Sequence, residues 1–106
     1  GNMALLGELK LSSNQFSGSL PTAVFNLSKL LVLSLDGNLL NGSIPQEIGN
    51  LEALNVLNLE KNQISGSIPP SIGKLSKLYE LRLSRNVLTG EIPVEIGQLQ
   101  DLQSAL

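Results

Sequence analysis

Two acidic side chains, Asp36 and Glu60, stand 24 residues apart, each directly after a Leu-x-Leu motif. Opposed on neighbouring strands, two such carboxylates repel each other unless a positive charge neutralises them. Lys61 and Arg85 each lie one position further along their repeats, and we predict that they neutralise the pair diagonally. A metal ion is the alternative, but two carboxylates without a convergent third ligand make a poor cation site. We therefore predict neither a metal site nor a cofactor.

Two arginines, Arg82 and Arg85, add a second kind of chemistry. Guanidinium groups bind carboxylates and sulfates through charge-assisted hydrogen bonds, so both residues are candidates for holding an anionic group of a peptide. With their polar neighbours they form the predicted ligand-binding set: Asp36, Asn58, Glu60, Lys61, Glu80, Arg82 and Arg85. The alternative is that these side chains only keep the surface of the sheet hydrated and contact no ligand. Leu31 and Tyr79 on one flank, with Val32, Leu39 and Val56, add apolar area near the set.

The composition argues against catalysis and against several kinds of partner. Among 106 residues there is no histidine and no cysteine, which removes the commonest general base and the thiol nucleophile. No nucleophile and base cluster in the sequence, so we predict that the chain is not an enzyme. A net charge of -2 without a basic run argues against nucleic acid. The apolar runs are too short to cross a membrane.

A 24-residue repeat must position the candidate residues. Four asparagines recur in a Leu-x-Leu-x-x-Asn motif, each followed by a glycine and then a proline at constant spacing: Asn14, Asn38, Asn62 and Asn86; Gly18, Gly42, Gly66 and Gly90; Pro21, Pro45, Pro69 and Pro93. A fixed period of this length predicts an α/β solenoid of stacked coils. We expect residues 1–106 to form a single array of about four full coils with a partial coil at each end.

Each coil is predicted to begin with a short strand, because its apolar residues alternate with others. In the second coil the inward residues are Leu30, Leu33 and Leu35, and the outward ones are Val32, Ser34 and Asp36. Ser13 is predicted to face outward in the first coil. The asparagine that follows each strand carries donors and an acceptor, so we predict a structural ladder that satisfies backbone groups where the chain turns inward.

The rest of each coil is predicted to turn and return. Phe16, Leu40, Ile64 and Leu88 form a second core column. The glycines that follow are expected to adopt positive φ or to let coils approach closely, and the prolines to open a short helical turn. Val24, Ile48, Ile72 and Ile96 pair with Leu27, Leu51, Leu75 and Leu99 on its buried face. Gly49, Gly73 and Gly97 are assigned to the reversal towards the next strand. Phe25 occupies the equivalent place in the first coil, which should therefore differ.

Two Asn-x-Ser sequons are candidate glycosylation sites, at Asn26 and Asn41. Glycosylation there requires a secreted chain, and such tripeptides also arise by chance. Glycans at these positions would leave the predicted sheet free.

The motif Leu-x-x-Leu-x-Leu-x-x-Asn-x-Leu-x-Gly-x-Ile-Pro, present from Leu54 to Pro69 with Ile64 at its third apolar place, resembles the plant-specific leucine-rich repeat. The resemblance implies a right-handed superhelix with a concave parallel β-sheet, short 3-10 or α-helical turns on the convex side, and a second short strand near the Gly-x-Ile-Pro segment. Gly42 to Leu51 and Thr89 to Leu106 resemble the ectodomains of receptor-like kinases, and the GASSHO-type receptors of sulfated peptides in particular.

This resemblance implies a segment on the extracellular side of the plasma membrane. Its partners would be a peptide, sulfated or not, and a co-receptor ectodomain, with a separate Ser/Thr kinase domain elsewhere in the receptor. Some receptors of this kind use an Arg-x-Arg pair on one strand to hold the terminal carboxylate of a peptide. Here the matching residues are Glu80-Leu81-Arg82, so that role does not transfer.

Two alternatives stay open beside ligand recognition. The coils could be a structural spacer without ligand contact, or belong to a secreted inhibitor of cell-wall-degrading enzymes, whose repeats are similar. Gly1-Asn2-Met3 aligns with Gly49-Asn50-Leu51, and Leu106 falls within a fifth strand, so we expect an internal segment without capping modules. Uncapped coils leave apolar faces and sheet edges open, and we expect the isolated chain to self-associate.

Overall fold

The computed structural model describes residues 7–12, 14, 15 and 17–105. Within them the chain forms nine short strands: β1 (Glu8–Lys10), β2 (Ser17–Gly18), β3 (Val32–Ser34), β4 (Leu39–Leu40), β5 (Val56–Asn58), β6 (Ser65–Gly66), β7 (Glu80–Arg82), β8 (Val87–Leu88) and β9 (Ser104–Ala105). Four 3-10 helices alternate with them: Thr22–Asn26, Gln46–Asn50, Pro70–Lys74 and Val94–Gln98. The predictions for Ser13, Phe16, the segment 1–3 and Leu106 lie outside the described residues.

One five-stranded parallel sheet runs through the molecule in the order β1-β3-β5-β7-β9. Its register is the repeat itself, because Leu33 pairs with Leu57 and Leu57 pairs with Leu81. These three leucines are almost completely buried. The alternation of inward and outward residues is therefore confirmed, and so is one strand per coil in a parallel sheet.

A second set of strands follows the main sheet in each coil, as the family resemblance implied. Strands β2 and β4 pair in parallel, and so do β6 and β8. Between these two-stranded sheets, the Gln63 N–H donates to the Leu40 carbonyl at 2.7 Å and the Ser65 N–H to the Gly42 carbonyl at 2.8 Å. Backbone hydrogen bonds thus join successive coils along this flank as well.

The 3-10 helices close each coil on the opposite side from the main sheet, and a proline directly precedes each helix as predicted. Their apolar residues complete one continuous core, whose fully buried members include Leu30, Ile48, Leu51, Leu54, Leu59, Ile64, Ile72, Leu75 and Leu78. Leu9, Leu11, Leu88, Ile96 and Leu102, in the first and last coils, are only partly buried. Self-association of the isolated chain stays a prediction.

The glycines take two different roles. Gly18, Gly42, Gly66 and Gly90 have φ between 74° and 85°, which confirms the predicted positive φ. Gly49, Gly73 and Gly97 lie inside 3-10 helices and not in the reversal to the next strand, so that assignment was wrong. At Gly49 an added Cβ would come within 3.0 Å of the Cβ and the carbonyl oxygen of Ser71 in the next coil. Close approach of successive helices is what requires glycine here. Phe25, its counterpart in the first coil, is buried in the core.

The asparagine column, Asn38, Asn62 and Asn86, forms the predicted structural ladder. The Asn62 Nδ2 donates to the carbonyls of Leu35, Leu59 and Glu60 at 3.0–3.1 Å. Its Oδ1 accepts the Leu40 N–H at 3.1 Å. Asn38 and Asn86 repeat the pattern of donation, joining each coil to the one before it. Asn14 is exposed, and its Nδ2 donates to the Ser12 carbonyl at 3.0 Å.

No helix among the described residues is long and apolar enough to cross a membrane.

Candidate functional site

Three rows of side chains cross the solvent face of the main sheet, each row taking one residue from each coil. The row at the strand starts contains Glu8, Val32, Val56 and Glu80; the row at the strand ends contains Lys10, Ser34, Asn58 and Arg82; and the row just beyond contains Ser12, Asp36, Glu60 and Ser84. All but one are at least partly accessible. Ser34 is 8% exposed, so its predicted outward position does not make it available to a ligand.

The centre of this face is a connected charged network. The Arg82 Nε donates to the Glu80 Oε2 at 2.9 Å, and the Arg82 Nη1 lies 3.5 Å from the Glu60 Oε1. The hydrogen bond to Glu80 and the charges of Glu80 and Glu60 raise the pKa of Arg82 above its ordinary value. Ser84 Oγ also donates to the Glu60 carboxylate. The guanidinium of Arg82 is therefore engaged within the protein.

The adjacent carboxylates Asp36 and Glu60 are stabilised differently from the prediction. Ser12 Oγ donates to the Asp36 Oδ1 at 2.6 Å, so a serine from a neighbouring coil binds each carboxylate. The only cation that neutralises either of them among the described residues is Arg82, on Glu60. The diagonal pairing with Lys61 and Arg85 was therefore wrong.

The backbone explains that error. Lys61 and Arg85 have φ of 57° and 60°, in the left-handed region that residues other than glycine rarely adopt. This conformation interrupts the alternation of the strand directly before the chain turns inward at the asparagine. The prediction assumed an extended backbone at these two positions, because sequence periodicity describes only the regular part of the coil.

Asn58 serves the backbone rather than standing free. Its Oδ1 accepts the Glu60 N–H at 3.1 Å. It lies on β5 between Ser34 and Arg82 in the register of the sheet. Of the predicted set, Asp36, Asn58, Glu60, Glu80 and Arg82 thus form intramolecular contacts. Lys61 and Arg85 are exposed and form no ion pair among the residues the structure describes.

A rim runs from the end of the main sheet onto the short strands, and it carries further accessible side chains. We define the rim column as Gly37, Lys61 and Arg85, and the outer rim as Leu39, Gln63 and Val87, two residues further along each coil. Leu39 is 49% exposed and Val87 is 58% exposed. Val87 was not among the predicted residues, although its place directly after Asn86 matches that of Leu39 after Asn38.

The other flank of the main sheet carries Leu31 and Tyr79, each 43% exposed. Between them Asn55 donates through Nδ2 to the Lys77 carbonyl at 3.1 Å. This flank therefore presents two apolar side chains around an amide that is already bonded.

Two remaining predictions concern a metal site and the two glycosylation sequons. Among the described residues, no group of three or more acidic, histidine or cysteine side chains is placed to hold a metal ion. Asn26, at the end of a 3-10 helix, and Asn41, directly after β4, are both exposed. Glycosylation at either residue stays a prediction.

Comparison with known proteins identifies the architecture. Leucine-rich repeat family models match residues 4–64 and residues 77–99. No curated protein sequence gives a significant match. Among solved structures, the chain is similar to the ectodomain of the plant membrane receptor kinase GASSHO1/SCHENGEN3 from Arabidopsis thaliana, in complex with Casparian strip integrity factor 2. The two are 83% identical with a TM-score of 0.94, over 97% of this chain and 12% of that one.

Other solved structures share the fold at lower identity. The plant peptide hormone receptor RGFR1, in complex with RGF2, is 40% identical with a TM-score of 0.93, over 95% of this chain and 16% of that one. A chain of the BIR3–SERK2 complex from Arabidopsis thaliana is also 40% identical, with a TM-score of 0.84, over 98% of this chain and 58% of that one. The chain thus spans only a part of each of these relatives.

The resemblance to GASSHO-type ectodomains is confirmed by the first of these structures, and the repeat architecture by all of them. With more than half of its residues matched by the family model and a strand, an asparagine and a 3-10 helix in each inner coil, this chain belongs to the leucine-rich repeat family.

Proposed function

We propose that this chain is a non-catalytic recognition segment in the extracellular part of a plant receptor kinase, and that it binds a peptide ligand on its concave and lateral surface. The observation that carries the proposal is its 83% identity to an ectodomain crystallised with Casparian strip integrity factor 2. The whole receptor would place these coils outside the plasma membrane and carry a separate Ser/Thr kinase domain. We propose a co-receptor ectodomain as a second partner, and the similarity to a chain of the BIR3–SERK2 complex supports this.

The arrangement of the coil supports this proposal. In the inner coils the repeated leucines are buried, and so are Asn38 and Asn62, whose amides donate to leucine carbonyls. The residues that vary from coil to coil lie on the solvent face of a sheet whose strands are linked by regular pairing. A rigid surface with a different side chain at each step suits an extended peptide that crosses several coils.

The centre of the sheet offers the most direct test. Val32 and Val56 are partners on β3 and β5 and are partly exposed on the solvent face. In the complete extracellular chain that carries this segment, Val56→Arg would place a long charged side chain where the peptide crosses. We expect its affinity for Casparian strip integrity factor 2, measured by titration calorimetry, to fall by about tenfold or more, because a single buried mismatch costs more than 1.4 kcal/mol.

The matched control is Val94→Arg, the same substitution on a 3-10 helix, where the valine is 88% exposed and away from the sheet. Its affinity should equal that of the unmodified protein. If Val56→Arg and Val94→Arg both bound the peptide as tightly as the unmodified protein does, these coils would be a spacer without ligand contact. An unmodified protein that binds no peptide but inhibits a cell-wall-degrading enzyme would support the secreted inhibitor instead.

A further inference from the structure

The peptide group that joins Asn41 to Gly42 differs from the peptide groups on either side of it, which are held by hydrogen bonds. The Asn41 N–H donates to the Gly18 carbonyl at 2.9 Å, and the Gly42 carbonyl accepts the Ser65 N–H at 2.8 Å. Between these two bonds, the Asn41 carbonyl and the Gly42 N–H have no hydrogen-bond partner among the residues that the structure describes. This peptide group can therefore rotate while its neighbours stay in place.

Rotation of this peptide group brings the Gly42 nitrogen towards the side-chain amide carbon of Asn41. It changes ψ of Asn41 and φ of Gly42 together, and glycine, here at φ of 74°, accepts the change because it has no Cβ. The Asn41 side chain is exposed and forms no hydrogen bond with a described residue, so it is free to meet the nitrogen. A backbone nitrogen without a partner, a free primary amide and a peptide group that can turn are the requirements for closing a cyclic imide.

Most other asparagines are followed by a backbone nitrogen that is already engaged. A backbone carbonyl accepts the next N–H after six of them: Asn26, Asn50, Asn55, Asn58, Asn62 and Asn86. After Asn26, for example, the Leu27 N–H donates to the Val24 carbonyl at 3.0 Å. Each of these nitrogens must give up its hydrogen bond before it can react, and each belongs to a residue larger than glycine. The fold therefore protects these six asparagines and leaves Asn41 unprotected.

The pair Asp36-Gly37 provides the sharpest comparison, because an aspartate before a glycine forms the same cyclic imide with loss of water. Here the Gly37 N–H donates to the Glu60 carbonyl at 3.0 Å, and the Asp36 carbonyl accepts the Asn38 Nδ2 at 3.3 Å. The Asp36 carboxylate is also held, by the Ser12 Oγ at 2.6 Å. The two glycines have φ of 70° and 74°, so their conformation does not distinguish the two sites, whereas the hydrogen bonds do.

We infer that Asn41 deamidates spontaneously in the folded chain wherever it carries no glycan. The Gly42 nitrogen loses its proton to solvent and bonds to the Asn41 side-chain carbon. The bond from that carbon to Nδ2 breaks, and Nδ2 takes up a proton from solvent and leaves as ammonia. Water then opens the imide at either carbonyl and returns a proton to the nitrogen. The products are aspartate, and isoaspartate in which the backbone runs through the former side chain.

A glycan at Asn41 would prevent this reaction, because the sequon Asn41-Gly42-Ser43 directs the sugar to the same Nδ2 atom. The sugar crowds the side-chain carbon and makes the leaving group bulky. Glycosylation and deamidation are therefore alternative fates of one nitrogen. Deamidation would place a new carboxylate on the flank of the short strands, two residues from the exposed Leu39.

The test uses the complete extracellular chain that carries this segment, as the variant Ser43→Ala. The substitution removes the sequon and keeps Asn41-Gly42, and Ser43 is exposed. Its matched control is Ser67→Ala, the same change at the equivalent exposed position of the next coil, which leaves the sequon intact. Folded protein, and protein unfolded in guanidinium chloride, are incubated in neutral buffer made with heavy-oxygen water. Peptide mapping by mass spectrometry then follows the oxygen label and isoaspartate at positions 41 and 36.

In Ser43→Ala, we expect position 41 to react at similar rates in the folded and the unfolded protein, because the fold does not occupy the Gly42 N–H. Position 36 should react at least about tenfold more slowly in the folded protein, since its ring closure must first break hydrogen bonds. Asn26 should be protected in the same way as Asp36. In Ser67→Ala, molecules with a glycan at Asn41 should keep it throughout the incubation, and molecules without one should react as Ser43→Ala does.

Two results would overturn the inference. If folding slowed the reaction at position 41 as strongly as it slows the reaction at position 36, the free peptide group would not permit ring closure. If molecules of Ser67→Ala lost the glycan from Asn41 as the label appeared, the two modifications would not be alternatives. Neither result would affect the proposed binding of a peptide, which Val56→Arg tests separately.

Discussion

Asn62 and Lys61 are neighbours in the chain and differ in almost every physical respect. Asn62 is 8% exposed, and its amide group forms four hydrogen bonds to backbone atoms. Lys61 is exposed, adopts φ of 57°, and forms no ion pair among the described residues. The same contrast recurs at Asn86 and Arg85. The asparagine column holds the coils together, whereas the rim column is held by the coils and contributes little to them.

The charged network on the sheet lies between these two cases. Glu60, Glu80 and Arg82 are accessible, yet each forms an ion pair within the protein. Exposure alone therefore does not identify a residue that is available to a ligand. The distinction is whether the side chain already has a partner, and on that criterion the rim column differs from the sheet face beside it.

The largest effect is expected from the asparagine column. Asn62→Leu keeps the volume but removes the acceptor of the buried Leu40 N–H. It also removes one of the two asparagine amides that donate to the Leu35 carbonyl and one of the two that donate to the Leu59 carbonyl. Leaving the Leu40 N–H without a partner and losing the amide donations should lower the free energy of unfolding by about 3 kcal/mol. Urea denaturation of this variant and of Asn14→Leu provides the comparison. Asn14 is exposed, and its amide donates to the Ser12 carbonyl, whereas the Asn62 amide forms four hydrogen bonds. The loss in Asn14→Leu should therefore be below about 1 kcal/mol. Equal losses would show that the column does not act through backbone satisfaction.

The contrast also explains which features were predictable from the sequence. The asparagines, the leucines and the prolines recur because each coil presents the same backbone groups and the same core to its neighbour, so periodicity alone located them. Lys61 and Arg85 do not recur in type, and their left-handed backbone follows from the turn at the asparagine rather than from any local preference. Their partners were therefore predicted wrongly.

Contacts between side chains of neighbouring coils were also not predicted from the sequence. The serines that bind Asp36 and Glu60 come from neighbouring coils, 24 residues away, and serine carries no charge that would have marked it as a partner. Gly49 was assigned to a turn because glycine is common in turns. Its actual constraint, the backbone and side chain of Ser71 in the next coil, exists only once the coils are stacked.

An intermediate effect, of opposite sign, is expected at the rim column. Lys61→Gly removes a side chain from the left-handed region, where a residue with a Cβ is strained by about 1–2 kcal/mol. Part of that gain is offset by the extra freedom of glycine in the unfolded chain. We expect the free energy of unfolding to rise by about 0.5–1 kcal/mol.

The mirror substitution is Gly37→Lys, in the same column at φ of 70°, which should lower the free energy of unfolding by a similar amount. Denaturation curves of both variants measure these changes. A destabilised Lys61→Gly would mean that the lysine side chain contributes to the fold, and the rim column could no longer be contrasted with the asparagine column.

The smallest effect is expected where the two arginines are compared directly. Arg82→Met removes the cation that lies between Glu80 and Glu60, whereas Arg85→Met removes a cation whose nearest charged neighbour along the rim column is Lys61. We therefore expect the melting temperature at low ionic strength to fall slightly for Arg82→Met and not to fall for Arg85→Met. Added salt screens the repulsion left among the carboxylates, so it should raise the melting temperature of Arg82→Met relative to the unmodified protein. Scanning calorimetry at low and high salt measures both differences. If the two variants melt alike at both salt concentrations, the ion pairs of Arg82 have no energetic weight, and pairing within the protein cannot be what separates the sheet face from the rim.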